Sequence, residues 1–212
     1  MSPTHRDRVL ATIHGEPSDR PPIALWRHFP VADATAEGLA DAVVAFQHAY
    51  DFDLVKVTAA SSYPAEAWGA ELVPADNPEG TRRHVRRVVA EASDWRAIQP
   101  LPADHGAFGR ELRALERVRA AVGPDVHVLA TIFSPLTIAK QMVGDGVFDH
   151  VRAHPAEVHG ALRAIADTTA RFAAACLAHG ADGIFLAVQL ARRDLVTPEE
   201  FSAFGVAYDL PV

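Results

Sequence analysis

Four short, mainly apolar runs, each bounded by chain-breaking residues and followed by an amphipathic stretch, set the limits on this fold. They are Ile23-Ala-Leu-Trp26, Asp53–Thr58 (DLVKVT), Val126–Phe133 (VHVLATIF) and Ile184–Val188 (IFLAV). Runs of this length with little polar alternation read as strands buried on both faces, which belong to parallel sheets with helical crossovers. The helices are equally punctuated. Residues 3–14 open at Pro3 and Thr4 and close at Gly15, and residues 36–50 carry Leu39, Val43, Val44 and Phe46 at roughly helical spacing. Further helices are predicted over 108–122, 136–143 and 155–179, with a last one starting at Thr197-Pro198-Glu199-Glu200, where Thr197 caps and Glu200 completes a capping box. Between the second and third strands, Glu71–Pro74 and His84–Ala90, flanked by Gly80 and Asp94, read as an inserted antiparallel pair.

Such alternation fits either a doubly wound sheet or a (β/α) barrel. The first strand leads into Trp26-Arg-His-Phe-Pro30, with no glycines where a dinucleotide-binding turn needs them. The dinucleotide version is disfavoured, and the expected fold is α/β of the TIM-barrel type. A whole barrel takes about 250 residues. With 212 residues and four barrel-type strands, residues 1–212 are expected to be part of a single, incomplete barrel domain, about four βα units plus the inserted pair.

Composition narrows the partners. Hydrophobic residues make up 49% and charged residues 22%, the balance of a packed globule rather than a disordered chain. A net charge of -7 argues against nucleic acid, and the cations are scattered apart from Arg82, Arg83, Arg86 and Arg87. No apolar run reaches the length of a membrane span, and the first sixteen residues place charges where a signal peptide needs apolar ones. With a single cysteine, Cys176, no internal disulfide can form, and a cytoplasmic setting is expected.

In a barrel the reactive groups lie at the C-terminal ends of strands. That rule selects Arg27 and His28 after the first strand, Lys56, Thr58 and Tyr63 in and after the second, Gln141 in the helix after the third, and Gln189 after the fourth. Lys56 interrupts an apolar strand. It either snorkels to an edge or faces an anionic ligand from the lumen. Arg27 with His28 reads as an anion clamp beside an acid/base group, or as a solvated pair. Arg192, Arg193 and Asp194 read as loop salt bridges. Eleven histidines suggest a metal, but neither H-E-x-x-H nor C-x-x-C occurs, and Pro155 separates the helices around His150 and His154. No metal site is expected within this chain, and Cys176 reads as core.

Three ordered strings carry a family resemblance: Gly15-Glu-Pro-Ser-Asp-Arg-Pro-Pro-Ile23, Phe133-Ser-Pro-Leu-Thr-Ile-Ala-Lys-Gln-Met-Val-Gly144, and Gly180-Ala-Asp-Gly-Ile-Phe-Leu186 followed by Thr197-Pro-Glu-Glu-Phe-Ser-Ala-Phe204. Together they resemble the uroporphyrinogen decarboxylase superfamily along essentially the whole chain. The resemblance implies a TIM barrel among tetrapyrrole decarboxylases and zinc-dependent methyltransferases that serve corrinoid proteins or thiols. Position by position the decarboxylase pattern departs. Of the family's arginine pair only Arg27 remains, with Val31 at the second place. Its pyrrole-binding aspartate falls at Ala59, its tyrosine at Gln141 and its serine at Gln189. Ala59 has no acceptor for pyrrole N–H groups.

The resemblance therefore points to a divergent methyltransferase-like enzyme, its substrate a corrinoid, a thiol or a tetrapyrrole. Zinc would be held only by later segments of a full-length protein. Uroporphyrinogen decarboxylation remains an alternative. So does a non-catalytic chain that pairs with another chain, as a homo-oligomer or with a separate half-barrel.

Overall fold

The computed structural model describes residues 3–75 and 82–212. Its centre is a three-stranded parallel sheet of β1 (Leu54–Val57), β4 (His127–Phe133) and β5 (Gly183–Ala187), in the order β1-β4-β5. In register, Lys56 stands opposite Leu129, and Thr131 stands opposite Phe185. Alternation along the strands sends Val55, Val57, Val128, Ala130 and Ile132 to one side, where all are buried. That side is covered by helices, with α2 (Ala36–Tyr50) against β1 and α7 (Pro155–Ala178) against β4 and β5. The helix α4 (Ala107–Val122) packs on α2 and buries Phe108, Leu112, Leu115 and Val118. Completing the set are α1 (His5–His14), α3 (Tyr63–Ala67), α5 (Pro135–Val143), α6 (Val147–Ala153) and α8 (Pro198–Phe201). A π-helical stretch, Ser202–Val206, carries α8 into Ala207–Asp209.

The predicted strand at Ile23–Trp26 does not form. Its pairing with the sheet stops at one backbone bond, from Asp53 N–H to Ile23 O at 2.8 Å, and the N–H of Ile23 is taken by the Asp53 carboxylate. Pro21 and Pro22 have no N–H to extend a ladder. Ile23, Leu25 and Trp26 are all exposed. Three barrel-type strands rather than four are therefore present among the described residues. The inserted pair does form, as β2 (Glu71–Pro74) against β3 (Arg82–Arg86), with β3 ending short of the predicted Ala90. Gly80, one of its predicted flanks, lies outside the described residues. The short helices α3 and α6 were not foreseen, because neither spans enough residues to show a period.

The two ends of the sheet differ in character. At the strand starts, Asp53 is buried and receives Arg20 at 2.5 and 2.9 Å, His5 at 2.9 Å and the Ile23 N–H at 2.7 Å. Burial alone would raise its pKa, but these donors hold it well below the usual carboxylate range. Asp182, just before β5, likewise accepts from Arg6, Arg119 and the Val128 N–H. These carboxylates tie α1 and the α4 end to the sheet, the arrangement expected at the stabilising end of a barrel-type sheet. Among the described residues no helix is long and apolar enough to cross a membrane.

Candidate functional site

Lys56 emerges from β1 on the face opposite the helices. Its residue is only 8% exposed, and Nζ sits 4.6 Å from the Trp26 ring centroid and 4.3 Å from that of Phe185. The two rings are themselves 5.9 Å apart. The unpaired segment after Pro22 and the strand β5 thus meet over β1 through this lysine. Among the described residues its one polar side-chain contact is Thr58 Oγ1 at 3.4 Å, and that hydroxyl also donates to Lys56 O at 3.3 Å. Among the described residues no carboxylate lies within salt-bridge distance, so burial pushes the ammonium pKa down to about 8. The side chain is not carried off to a solvated edge.

His28 is half-buried beside this group. Burial lowers its pKa, assisted by the Lys56 charge and opposed by Asp33 and a hydrogen bond to the Ala59 backbone. Among the described residues its buried Nδ1 has no partner. Arg27 is exposed, with Nε donating to His28 O at 3.2 Å and its guanidinium 5.6 Å from the Phe29 ring. The structure therefore brings Lys56, Thr58 and His28 together and leaves Arg27 at the rim.

The other predicted residues fall elsewhere. Tyr63 turns into the helical side, fully buried against Phe108, Phe133 and Phe172, with its hydroxyl donating to Thr131 O at 3.1 Å. It follows β1 in sequence, but α3 rotates it away from the open face. Gln141 is half-buried in α5 with Oε1 unpartnered, while Gln189 is exposed and engages Thr137 Oγ1 through its backbone N–H at 3.3 Å. Arg192 and Asp194 form the expected loop salt bridge at 2.6 Å.

Sequence reasoning missed a buried ionic cluster. Arg110 forks onto Glu66 at 2.7 and 3.0 Å and reaches Glu111 at 3.0 Å, while Arg82 holds Asp33 at 2.8 Å. Burial pushes Glu111 up to about 7, against the pull of Arg110. Its Oε2 is unpartnered, and it lines a cavity of about 20 Å³ with Tyr63, Thr131 and Cys176. A carboxylate spaced with Phe108 and Leu115 on one helical face was the available signal.

Among the described residues no group of three His, Cys, Asp or Glu side chains converges to hold a metal. Cys176 is buried, and burial together with the Glu111 charge pushes its thiol up to about 12, unsuited to a thiolate ligand. The rings of His150 and His154 do meet, with centroids 6.2 Å apart, but His150 Nδ1 accepts from the Trp95 indole. These residues do not fit the zinc that the family resemblance suggests, and no chemistry is drawn through one.

The model of the uroporphyrinogen decarboxylase family matches residues 4–209. Similar curated proteins include the methylcobamide:CoM methyltransferase MtbA of Methanosarcina acetivorans, 21% identical over 97% of this chain, and MtaA of Methanosarcina barkeri, 26% identical over 95%. The chain spans about 64% of the length of these relatives. A solved methyltransferase from Methanosarcina mazei superposes with a TM-score of 0.76 over 96% of this chain and 64% of its own, at 21% identity, and shares the fold. With a family match running almost from end to end, this chain belongs to the uroporphyrinogen decarboxylase family.

Proposed function

We propose that the chain is a methyltransferase-like member of this family, moving a methyl group between a corrinoid and a thiol. The sheet face around Lys56 would form one wall of the substrate mouth. The observation that carries this reading is the likeness to methylcobamide:CoM methyltransferases along 95–97% of the chain. The site residues agree with it in two respects. Ala59, buried directly after β1, offers no carboxylate to pyrrole N–H groups, which argues against a decarboxylase. Lys56 offers a cation on an aromatic shelf, suited to an anionic group on a small thiol.

The test is thiol-dependent demethylation of methylcobalamin by the full-length gene product, followed by absorbance. Transfer to 2-mercaptoethanesulfonate is expected, and Lys56→Met should raise KM for this anionic thiol but not for 2-mercaptoethanol. Absence of transfer to either thiol, with decarboxylation of uroporphyrinogen instead, refutes the reading.

One observation favours a second reading, a non-catalytic chain that pairs with another. Ile23, Leu25, Trp26, Phe185 and Val188 are large apolar side chains left exposed. Sedimentation velocity of the purified chain, together with inactivity on both substrate sets, would support it.

A further inference from the structure

Of the twenty basic residues in this chain, eighteen are arginine and two are lysine. One lysine, Lys140, is half-buried and lies 3.5 Å from Asp145. The other is Lys56, in the middle of a strand, beneath two aromatic rings and with no carboxylate partner among the described residues. Arginine serves almost every structural need for a cation here, including the buried pairs with Asp33, Asp53 and Glu66. A guanidinium would also suit an aromatic shelf. What an arginine cannot do is shed its proton and present a nitrogen lone pair.

We propose that Lys56 is an amine nucleophile that condenses with the carbonyl group of an aldehyde or ketone seated against Trp26 and Phe185. Nζ in its neutral form adds to the carbonyl carbon, forming the C–N bond. The resulting carbinolamine loses its hydroxyl and the nitrogen-bound proton as water, leaving an imine and requiring no oxidant or reductant. The surroundings raise the fraction of neutral amine, since desolvation opposes the charge and no carboxylate among the described residues offsets it. The open face reaches the rings, with Trp26 49% and Phe185 38% exposed, while Lys56 beneath them is 8% exposed, so a carbonyl compound must enter between the rings. This chemistry does not depend on methyl transfer.

The test treats the chain at pH 7.5 with benzaldehyde and sodium cyanoborohydride, which traps any imine as a benzylamine, and maps the label by peptide mass spectrometry. Lys140 is the internal control. Labelling at Lys56 is expected to run at least about ten-fold faster than at Lys140, because desolvation lowers the Lys56 pKa to about 8. In Lys56→Arg, which keeps the cation over the rings, labelling at Lys140 should be unchanged while the fast phase, counted apart from the N-terminal amine peptide, vanishes. Equal labelling of the two lysines, or slower labelling at Lys56 in protein whose circular dichroism is native, overturns the proposal. So does survival of the fast phase in Lys56→Arg.

Discussion

Replacing Glu111 with glutamine should make the protein more stable above neutral pH, although it removes a charge that contacts Arg110. Glu111 is buried, its Oε2 has no partner, and its pKa is raised from an ordinary 4.5 to about 7. A carboxyl group raised on folding favours the folded state fully below its unfolded value and loses that contribution as pH climbs through the folded one. Each pH unit across this window changes stability by about 1.4 kcal/mol, so the charged form costs about 3 kcal/mol above pH 7. Glutamine cannot ionise, and Arg110 keeps its two bonds to Glu66. Glu111→Gln should therefore exceed the parent by about 2–3 kcal/mol at pH 8 and match it within about 1 kcal/mol near pH 4.5. Urea unfolding followed by circular dichroism at the two pH values measures the difference. A variant no more stable than the parent at pH 8 would refute the reasoning, because desolvation would then not be the dominant influence on this carboxylate.

Other perturbations bear on the strand starts, the turns and the site. Asp53→Ala removes the acceptor shared by Arg20, His5 and the Ile23 N–H, and should cost about 3 kcal/mol in urea unfolding. Gly180 has φ +102°, and a Cβ there would lie 2.8 Å from Arg119 Cγ, so Gly180→Ala should lower stability by about 1–3 kcal/mol in the same assay. Val31 is exposed with φ +72°, a conformation that a β-branched residue resists. Val31→Gly should raise the thermal midpoint, reflecting a gain of about 1 kcal/mol.

Much of the fold was legible because its signals are local. Thr197 with Glu200 forms the capping box that its spacing foretells, Thr4 stands at the start of α1 as expected, and Gly15 takes the left-handed conformation that closes α1. The strands at β1, β4 and β5 begin and end within a residue of where their apolar runs do. Ile23–Trp26 misled for a tertiary reason. Apolar content marks a strand only if a neighbour supplies hydrogen bonds, and this segment has one such bond. At the site, Lys56 stood out in sequence because a cation inside an apolar strand is rare. Its aromatic neighbours could not be read, since Trp26 and Phe185 lie 159 positions apart. Glu111 and Asp33 were hidden for the opposite reason. Acidic residues in helices and turns are common, and only packing reveals which of them is sealed from water.

The position of β4 between β1 and β5 has a dynamic consequence. Its amides and carbonyls are engaged on both flanks, whereas each neighbour bonds to it on one side. In deuterated solvent the protons of β1 and β5 can be lost by fraying from an outer edge, but those of Val128 to Ile132 exchange only when the whole assembly opens. The slowest-exchanging amides in this strand would therefore report the global unfolding free energy, and the flanking strands would report smaller, local openings.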